Sequence, residues 1–403
     1  MMRIEWRALL EVFQAFLKLG FTSFGGPIAH LGYFRTEFVV RRRWIDETGY
    51  ANLVALCQFL PGPASSQVGF SLGVLRANGL LGGITAWLAF TLPTAVILFG
   101  FAMSAALFDA PVASGALHGL KLVAVAVIAQ ALVGMTRTLT PDAARAGIAL
   151  VTAALALTFA GSAVQVGSII VGALAGLLLC ASKDGAIPEP VDSRVDFPVS
   201  KRHGVFALTA FVVLLAGPPL LLQIASDHQA IALFNAFYRS GALVFGGGHV
   251  VLPLLQAQVV APGWLDNETF LAGYGLAQAV PGPLFAIAAY LGALVQPGPN
   301  GAIGASIALV AIFLPGLLLV YGMLPFWNEL RTHPSSQAAM RGANAAVVGI
   351  LGAALYNPAW ISAVFSLTDV ALVLAGFLLL TLGKLPSWTV VLMLAAAGAV
   401  ANT

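Results

Sequence analysis

Apolar runs of membrane-spanning length recur from one end of this chain to the other. Leu80 to Leu107, Phe206 to Ile224 and Ile303 to Val320 are three of them, each near or above the ~20 residues that a helix needs to cross the hydrocarbon core. Of the 403 residues, 59% are hydrophobic and 9% are charged, whereas a soluble domain is about a quarter charged. The sequence therefore predicts an all-α polytopic membrane protein.

Several other classes of protein are excluded or disfavoured by what the sequence lacks. Arg3 and Arg7 precede an apolar stretch without a small-residue cleavage site, so we interpret the N-terminus as mature sequence rather than a signal peptide. Cys57 and Cys180 both lie in apolar segments, which predicts packing residues and neither a disulfide nor a metal site. Because there is no basic face, we expect no nucleic-acid partner. The paired-His, G-x-S-x-G, Walker and dinucleotide signatures are missing as well, so we expect neither an enzyme nor a cofactor.

The chain contains an internal repeat. Phe24-Gly25-Gly26 recurs as Phe245-Gly246-Gly247 at an offset of 221, and Pro61-Gly62-Pro63 recurs as Pro281-Gly282-Pro283 at an offset of 220. Between them Trp44-Ile45-Asp46 matches Trp264-Leu265-Asp266. We therefore predict a first repeat over 1–182, a connector loop with a linking transmembrane helix over 183–229, and a second repeat over 230–403.

The two copies differ in charge at one loop. Arg41-Arg42-Arg43 of the first copy is replaced by Ala261-Pro262-Gly263 in the second. Because basic residues mark cytoplasmic loops, the copies are expected on opposite faces of the membrane. This predicts an inverted repeat, as in many secondary transporters. We expect a multi-pass protein of the cell inner (plasma) membrane with a cytoplasmic N-terminus.

Each repeat has two Gly and Pro clusters that interrupt apolar stretches and break helices there. Broken backbone at membrane depth is tolerated only against protein or a water-filled cavity. One interpretation is two re-entrant helical hairpins per half, at 9–43 and 49–76 in the first, followed by transmembrane helices. This threading leaves no Lys or Arg in an exterior loop, so we favour it. The alternative is a set of kinked full-length helices with roughly 13 crossings.

One basic residue precedes the first break of each half. Lys18 and Arg239 are related by the same offset of 221 as the Gly-Gly breaks. A charge inside the membrane is costly and usually functional, so the two cations are predicted to converge on one substrate site. The alternative is that both long side chains reach out to the interface.

Beyond each break a new helix begins, and its free N–H groups and positive dipole end favour an anion. The competing interpretation of the breaks is that their glycines serve helix packing alone. Gln58 and Gln278 precede the Pro-Gly-Pro breaks at matched positions. They could donate hydrogen bonds to the anion, or they could bond each other or the broken backbone. The predicted substrate-binding residues are Lys18, Thr22, Ser23, Gly25, Gly26, Gln58, Ser65, Ser66, Arg239, Gly246, Gly247, Gly248, His249 and Gln278.

The remaining ionisable residues near the breaks have simpler interpretations. Asp46 and Asp266 follow the matched tryptophans and are predicted to be helix N-caps, with proton coupling as the alternative. His30 and His249 could carry protons near neutral pH or serve as packing residues. Because carboxylates near the breaks are few, the balance favours an anionic substrate.

The motifs quoted above resemble those of the chromate ion transporter (CHR) family. The resemblance rests on Phe24-Gly25-Gly26-Pro27, on Pro61-Gly62-Pro63, on their second-half counterparts and on the basic stretch ending in Trp44. It covers nearly the whole chain, as in the long two-domain members. It implies export of chromate from the cytoplasm and chromate resistance, with sulfate as a competing tetrahedral dianion.

Other functions remain open at this stage. An uptake carrier for sulfate or another oxyanion would share the site and differ in direction, an anion channel would pass current, and a membrane scaffold would show no flux. The expected partners are the small oxyanion, the lipid bilayer and a second copy of the chain in a homodimer.

Overall fold

The computed structural model describes residues 6–24, 26–104, 111–159, 162–180, 197–224, 228–244, 250–327 and 334–401. Their regular structure is entirely helical and includes 17 helices of at least eight residues, which we number α1 to α17. The predicted all-α class is therefore confirmed.

The first half contributes eight helices: α1 Trp6–Thr22, α2 Gly26–Phe34, α3 Glu47–Phe59, α4 Ala64–Arg76, α5 Leu80–Ser104, α6 Pro111–Leu139, α7 Ala143–Thr158 and α8 Ser162–Leu179. A π-helical turn, Arg35–Arg41, continues α2. Helix α9, Lys201–Ile224, links the halves.

The second half also contributes eight helices: α10 Gln229–Ala242, α11 Val251–Val259, α12 Asn267–Ala279, α13 Ile287–Leu294, α14 Gly301–Met323, α15 Pro334–Ala354, α16 Leu367–Thr381 and α17 Ser387–Ala401. Short 3₁₀ turns, Leu284–Ala286 and Leu324–Phe326, precede α13 and follow α14. Leu355–Trp360 and Ile361–Ala363 continue α15. Helices α1 to α8 therefore correspond in order to α10 to α17.

Five helices of the described chain are long and apolar enough to cross a membrane: Leu80–Ser104, Gly115–Leu139, Lys201–Ile224, Gly301–Phe326 and Gln337–Ala363. The protein is thus a multi-pass membrane protein. The apolar helices α7, α16 and α17 have 16, 15 and 15 residues, about 22–24 Å at 1.5 Å per residue, and are short for a core of about 30 Å.

The two matched aspartates start matched helices. The Asp46 carboxylate accepts from the Gly49 N–H at 2.7 Å, and the Asp266 carboxylate accepts from the Thr269 N–H at 2.8 Å. Each bond satisfies one of the unpaired N–H groups in the first turn of the helix. The predicted N-caps of α3 and α12 are therefore confirmed.

The first broken segment folds back on itself. Arg42 Nη1 and Trp44 Nε1 each lie 3.2 Å from Glu11 Oε1, near the start of α1. Arg76, at the end of α4, also donates to Glu11. A single kinked crossing from residue 9 to residue 30 would instead separate Glu11 and Arg42 by the thickness of the membrane. The contacts match a chain that returns twice to the level at which it began.

The two halves interlock. Helix α6 of the first half packs along α16 and α17 of the second half, while α15 of the second half packs along α7 and α8 of the first. Because α6 corresponds to α15, each half inserts its equivalent helix into the other. Such reciprocal contacts are typical of a two-fold relation between the partners.

Candidate functional site

The four helix breaks meet in crossed pairs at the centre of this arrangement. The Gly282 N–H donates to the Ser23 carbonyl at 2.9 Å, and the Gly62 N–H donates to the Val244 carbonyl at 2.7 Å. Ser23 and Val244 are repeat counterparts, as are Gly62 and Gly282. Each Pro-Gly-Pro break therefore binds the residue that precedes the Phe-Gly-Gly motif of the other half. We call these four residues the break crossing.

Glycine is required at the two Pro-Gly-Pro positions of the crossing. Gly62 has φ +123° and Gly282 has φ +96°, which side-chain-bearing residues rarely adopt. A Cβ on Gly62 would lie 2.9 Å from the Gly316 Cα, and one on Gly282 would overlap the Thr94 hydroxyl oxygen. A Cβ is therefore excluded at both positions by a close neighbour, the Gly316 backbone for Gly62 and the Thr94 side chain for Gly282, as well as by the backbone conformation.

Each Pro-Gly-Pro break is also held through the carbonyl of its first proline. Thr94 Oγ1 of α5 donates to the Pro281 carbonyl at 2.6 Å. In the other half Gln67 Nε2 donates at 3.0 Å both to the Pro61 carbonyl and to the Gly316 carbonyl of α14. Equivalent acceptors are thus satisfied by different side chains in the two halves.

The first-half side of the crossing is lined with buried hydroxyl groups. Ser23, Ser65 and Ser66 are 0%, 3% and 2% exposed, and the hydroxyls of Ser23 and Ser66 have no hydrogen-bond partner among the described residues. Ser65 and Ser66 lie in the first turn of α4, whose N-cap, Pro63, provides no side-chain cap. The start of α4 therefore offers N–H and O–H donors in a buried place, which an anion can accept from.

His30 connects the two breaks of the first half. Its Nε2 lies 3.2 Å from the Ser23 carbonyl oxygen, its Nδ1 lies 3.3 Å from Ser65 Oγ, and the residue is fully buried. His30 is not among the binding residues that the sequence predicts. The feature of the sequence that indicates it is a histidine one turn beyond a helix break in an apolar segment.

The second-half counterparts of these polar residues are apolar. Ser23 corresponds to Val244 and His30 to Val251, at an offset of 221. At an offset of 220, the first turn of α4 corresponds to Phe285, Ala286 and Ile287, which are at most 1% exposed. Among the described residues, the crossing is consequently polar on the first-half side and packed with apolar side chains on the other.

Lys18 points away from the crossing. Its side chain is 53% exposed, and its ammonium group lies 3.8 Å from Glu37, which also binds Arg41 and Arg42 at 2.8 Å. This geometry favours the interfacial alternative for Lys18, and its role in substrate binding stays a prediction. Thr22 is exposed too, and its hydroxyl donates to the Lys18 carbonyl.

Arg239 has different surroundings from its counterpart Lys18. It is half-buried near the end of α10, five residues before Val244 of the crossing. Within the described ranges its side chain has neither a hydrogen bond nor an ion pair. At the offset of 221, Gln258 stands where the first half has Glu37, so the second half lacks the equivalent carboxylate.

The remaining predicted residues are scattered around the breaks. Gly26 has φ +76°, and among the described residues no atom of another segment would lie within 4 Å of a Cβ at this position, whereas Gln58 is exposed on α3. The Gln278 side chain contacts the Tyr274 hydroxyl, and its Nε2 is buried without a described partner. The predicted residues Gly25, Gly246, Gly247, Gly248 and His249 lie outside the described residues.

Two further ion pairs join α6 to the second half. His118 Nε2 lies 2.8 Å from Asp369 Oδ1 at the start of α16, and Lys121 Nζ lies 3.3 Å from Glu268 Oε1 at the start of α12. Lys121 itself is buried while Glu268 is exposed, so the ammonium group reaches outward from α6, as a snorkelling side chain does. These pairs involve none of the residues of the break crossing.

Comparison with known proteins assigns both halves to one family. The sequence model described as "Chromate transporter" matches residues 10–179 and again residues 231–400. The two matches begin 221 residues apart, which is the offset of the Gly-Gly breaks. The repeat deduced from the motifs is therefore a repeat of the family's own unit.

Full-length relatives carry the same description. A probable chromate transport protein of Synechococcus elongatus is 30% identical over 86% of this chain and 84% of its own length. The chromate transport protein of Pseudomonas aeruginosa is 30% identical over 88% and 82%, and that of Cupriavidus metallidurans is 28% identical over 86% and 82%. No solved structure matches this chain.

Proposed function

The chain belongs to the chromate transporter family, a family of transporters and not of enzymes, and on that premise we propose that it exports chromate across the cytoplasmic membrane and confers chromate resistance. The observation that carries the proposal is the break crossing with its buried donors. Tetrahedral oxyanions need several donors at once, and the start of α4 supplies N–H groups together with the Ser66 hydroxyl.

We place the substrate at the polar first-half side of the crossing. Ser23, Ser66 and the first-turn N–H groups of α4 would donate hydrogen bonds, and Gly26 would let the anion approach the backbone because no side chain fills that space. Arg239 would supply the positive charge, since it is the basic residue near the crossing without a described carboxylate partner. Gly25, Gly246, Gly247, Gly248, His249, Gln278, Ser65 and the exposed Lys18, Thr22 and Gln58 stay predictions.

The proposed architecture is an inverted repeat with two re-entrant hairpins in each half. This proposal is supported by a difference in charge between equivalent positions of the two halves. Arg41, Arg42 and Arg76 gather with Glu11 and Glu37 at the base of the first pair of hairpins, whereas the corresponding second-half positions are uncharged. Because basic residues mark the cytoplasmic side, we expect the lower end of the first hairpin pair and the N-terminus in the cytoplasm. The equivalent end of the second hairpin pair is then expected outside. The domain boundaries at 182/183 and 229/230 and a homodimer remain predictions.

Export can be driven by the membrane potential. A dianion leaving an inside-negative cell gains about 2.3 kcal/mol per charge at about 100 mV, or roughly 4–5 kcal/mol in total. The alternation of access would come from movement of one hairpin pair against the other about the crossing. The same site with inward flux would be an oxyanion uptake carrier, so direction is part of the test.

The test is flux of radiolabelled chromate into inside-out membrane vesicles. We expect uptake driven by an interior-positive potential and reduced by excess sulfate. Arg239→Gln should slow it at least about tenfold, because a hydrogen bond to a charged group contributes roughly 1.5–3 kcal/mol. The exposed Arg137→Gln provides a matched control and should transport normally. Chromate flux that is absent in wild type, or unchanged in Arg239→Gln, contradicts the proposal, and flux only in the opposite direction identifies an uptake carrier.

A further inference from the structure

The hydrogen bonds of His30 determine which of its ring nitrogens carries a hydrogen. The Ser23 carbonyl oxygen can only accept, so His30 Nε2 at 3.2 Å carries a hydrogen in either protonation state. In the neutral imidazole, Nδ1 is then the acceptor, and its partner at 3.3 Å is Ser65 Oγ. The Ser65 hydroxyl hydrogen is therefore directed at His30 and away from the start of α4.

Adding a proton to His30 reverses that hydrogen bond. The imidazolium donates from both nitrogens, so Nδ1–H would donate to Ser65 Oγ and the hydroxyl hydrogen would have to turn elsewhere. Ser65 adjoins Ser66, whose hydroxyl has no described partner. Protonation would consequently convert Ser65 into an additional donor in the first turn of α4 and place a positive charge behind it.

We propose that His30 is a proton-binding site that tightens oxyanion binding at the start of α4 through the Ser65 hydroxyl. The inference rests on the proposed function, because it presupposes an anion at the first-half side of the crossing. Coupling between two sites is reciprocal, so an anion bound there favours protonation of His30 to the same extent. A dianion that leaves together with the His30 proton carries one net negative charge across the membrane, and an inside-negative potential still drives it outward.

The charged groups near His30 are engaged elsewhere. Lys18 of α1 and Arg41 of the π-helical turn bind Glu37, Arg76 at the far end of α4 binds Glu11, and Arg35 binds Glu47 of α3. The hydroxyl of Tyr50 on α3 donates to the Leu31 carbonyl. Helix α5 contributes the Phe90 ring against the imidazole, at 5.3 Å between centroids, and contains no ionisable residue. Within the described ranges, no carboxylate pairs with His30.

His118 provides the contrast. Its Nε2 faces the Asp369 carboxylate, which also accepts from the N–H groups of Phe365 and Ser366 at 3.0 Å. A protonated His118 is thus neutralised within its own ion pair, whereas the described contacts of His30 are a hydroxyl, a carbonyl and an aromatic ring. An anion at the crossing is what would compensate its charge.

The experiment measures sulfate and chromate affinity of the purified full-length protein in lipid nanodiscs between about pH 4 and about pH 8, a range that reaches below the ordinary titration of histidine because burial disfavours a charged imidazole. Wild type should bind at least about fivefold more tightly at the acidic end and take up protons when the anion is added. His30→Gln can keep both hydrogen bonds without titrating, so its affinity should be independent of pH and its proton uptake lost. The difference between the two proteins cancels any protonation of the anion itself.

Control variants separate the outcomes. His118→Gln and the exposed His203→Gln should behave as wild type, and Ser65→Ala should show a reduced pH dependence, which provides a second variant if His30→Gln is unstable. Wild-type affinity that does not change with pH, or full pH dependence in His30→Gln, overturns the inference and leaves the proposed function intact. No binding of either anion at any pH overturns the proposed function as well.

Discussion

The two halves of the chain share a framework but differ in what they place on it. Their breaks make equivalent backbone hydrogen bonds, from Gly282 to Ser23 and from Gly62 to Val244. Around that shared pair, the first half has buried serines and a histidine, whereas the second has valine, phenylalanine, alanine and isoleucine. The two halves thus share a backbone framework, and among the described residues the buried hydroxyls and the histidine around the crossing belong to the first half.

The basic residues that precede the breaks, Lys18 and Arg239, differ in the opposite direction, because the one without a described partner lies in the second half. Lys18 of the first half belongs to a carboxylate network at the hairpin base, while Arg239 of the second half has no described partner. A charge that is already paired contributes little to a ligand, whereas an unpaired one near a buried site is costly unless a counter-ion binds. The two sequence-equivalent cations thus have different surroundings, and we expect them to differ in function.

The largest expected effect concerns the glycines that both halves need. Gly282→Ala should lower the free energy of unfolding by about 2–3 kcal/mol, because it adds backbone strain and overlap with Thr94. Thr94→Ala in the same chain should restore part of the loss. Gly62→Ala would place a methyl group 2.9 Å from the Gly316 Cα and 3.0 Å from Gln67 Nε2, so a side-chain substitution should leave the contact with the backbone in place. Thermal unfolding of the purified variants measures both, and equal rescue in the two halves would contradict the geometry.

The second prediction separates Arg239 from Lys18. Arg239→Gln should weaken chromate binding about ten- to a hundredfold, since a charge-assisted hydrogen bond is lost. Lys18→Gln should weaken it by less than about threefold, because exposed ion pairs contribute little. Ligand-dependent thermal shift with chromate compares the two variants directly. A larger loss in Lys18→Gln would restore the convergence of both cations on one site.

The third prediction exchanges the side chains of the two α-helix starts. Ser66→Ala should weaken binding about fivefold, which corresponds to a hydrogen bond of about 1 kcal/mol. Its mirror, Ala286→Ser, should leave binding unchanged and cost about 1–3 kcal/mol of stability, because the new hydroxyl enters a fully buried position between Phe285 and Ile287. The exposed Ser306→Ala serves as the control. Equal losses of affinity from the two halves would mean that the site is symmetric.

The smallest expected effect comes from giving Arg239 the carboxylate that Lys18 has. Gln258→Glu restores at the equivalent second-half position the acid found at Glu37. An ion pair of this kind typically contributes about 0.2–1 kcal/mol, so chromate affinity should fall by a factor of roughly 1.4 to 5. Titration of the purified variant with chromate measures it, with Gln258→Ala as the uncharged control. Unchanged affinity would show that Arg239 does not serve the anion.

Much of the framework followed from local signals in the sequence. Asp46 and Asp266 were identifiable as N-caps because each precedes a helix and satisfies N–H groups three residues ahead. The repeat was visible in motif spacing and coincides with the two family matches. Helix breaks at Gly and Pro clusters likewise need only backbone chemistry.

The site was harder to predict because its contacts join distant segments. The pairing of Lys18 with Glu37 depends on how the hairpin closes, and the crossing of Gly62 with Val244 joins residues that are 182 apart in the sequence. Spacing alone does not tell which break faces which. The sequence allows His30 either a proton-carrying or a packing role, because its partners, Ser23 and Ser65, come together only in the folded chain.

Membrane sidedness of equivalent loops tests the central claim most directly. Arg43→Cys and Pro262→Cys occupy exposed positions next to the matched tryptophans, and each can be introduced into a chain carrying Cys57→Ala and Cys180→Ala. A membrane-impermeant thiol reagent applied to intact cells should label the Pro262→Cys protein and reach the Arg43→Cys protein only in inside-out vesicles. Labelling of both from the same side would contradict halves that cross the membrane in opposite orientations.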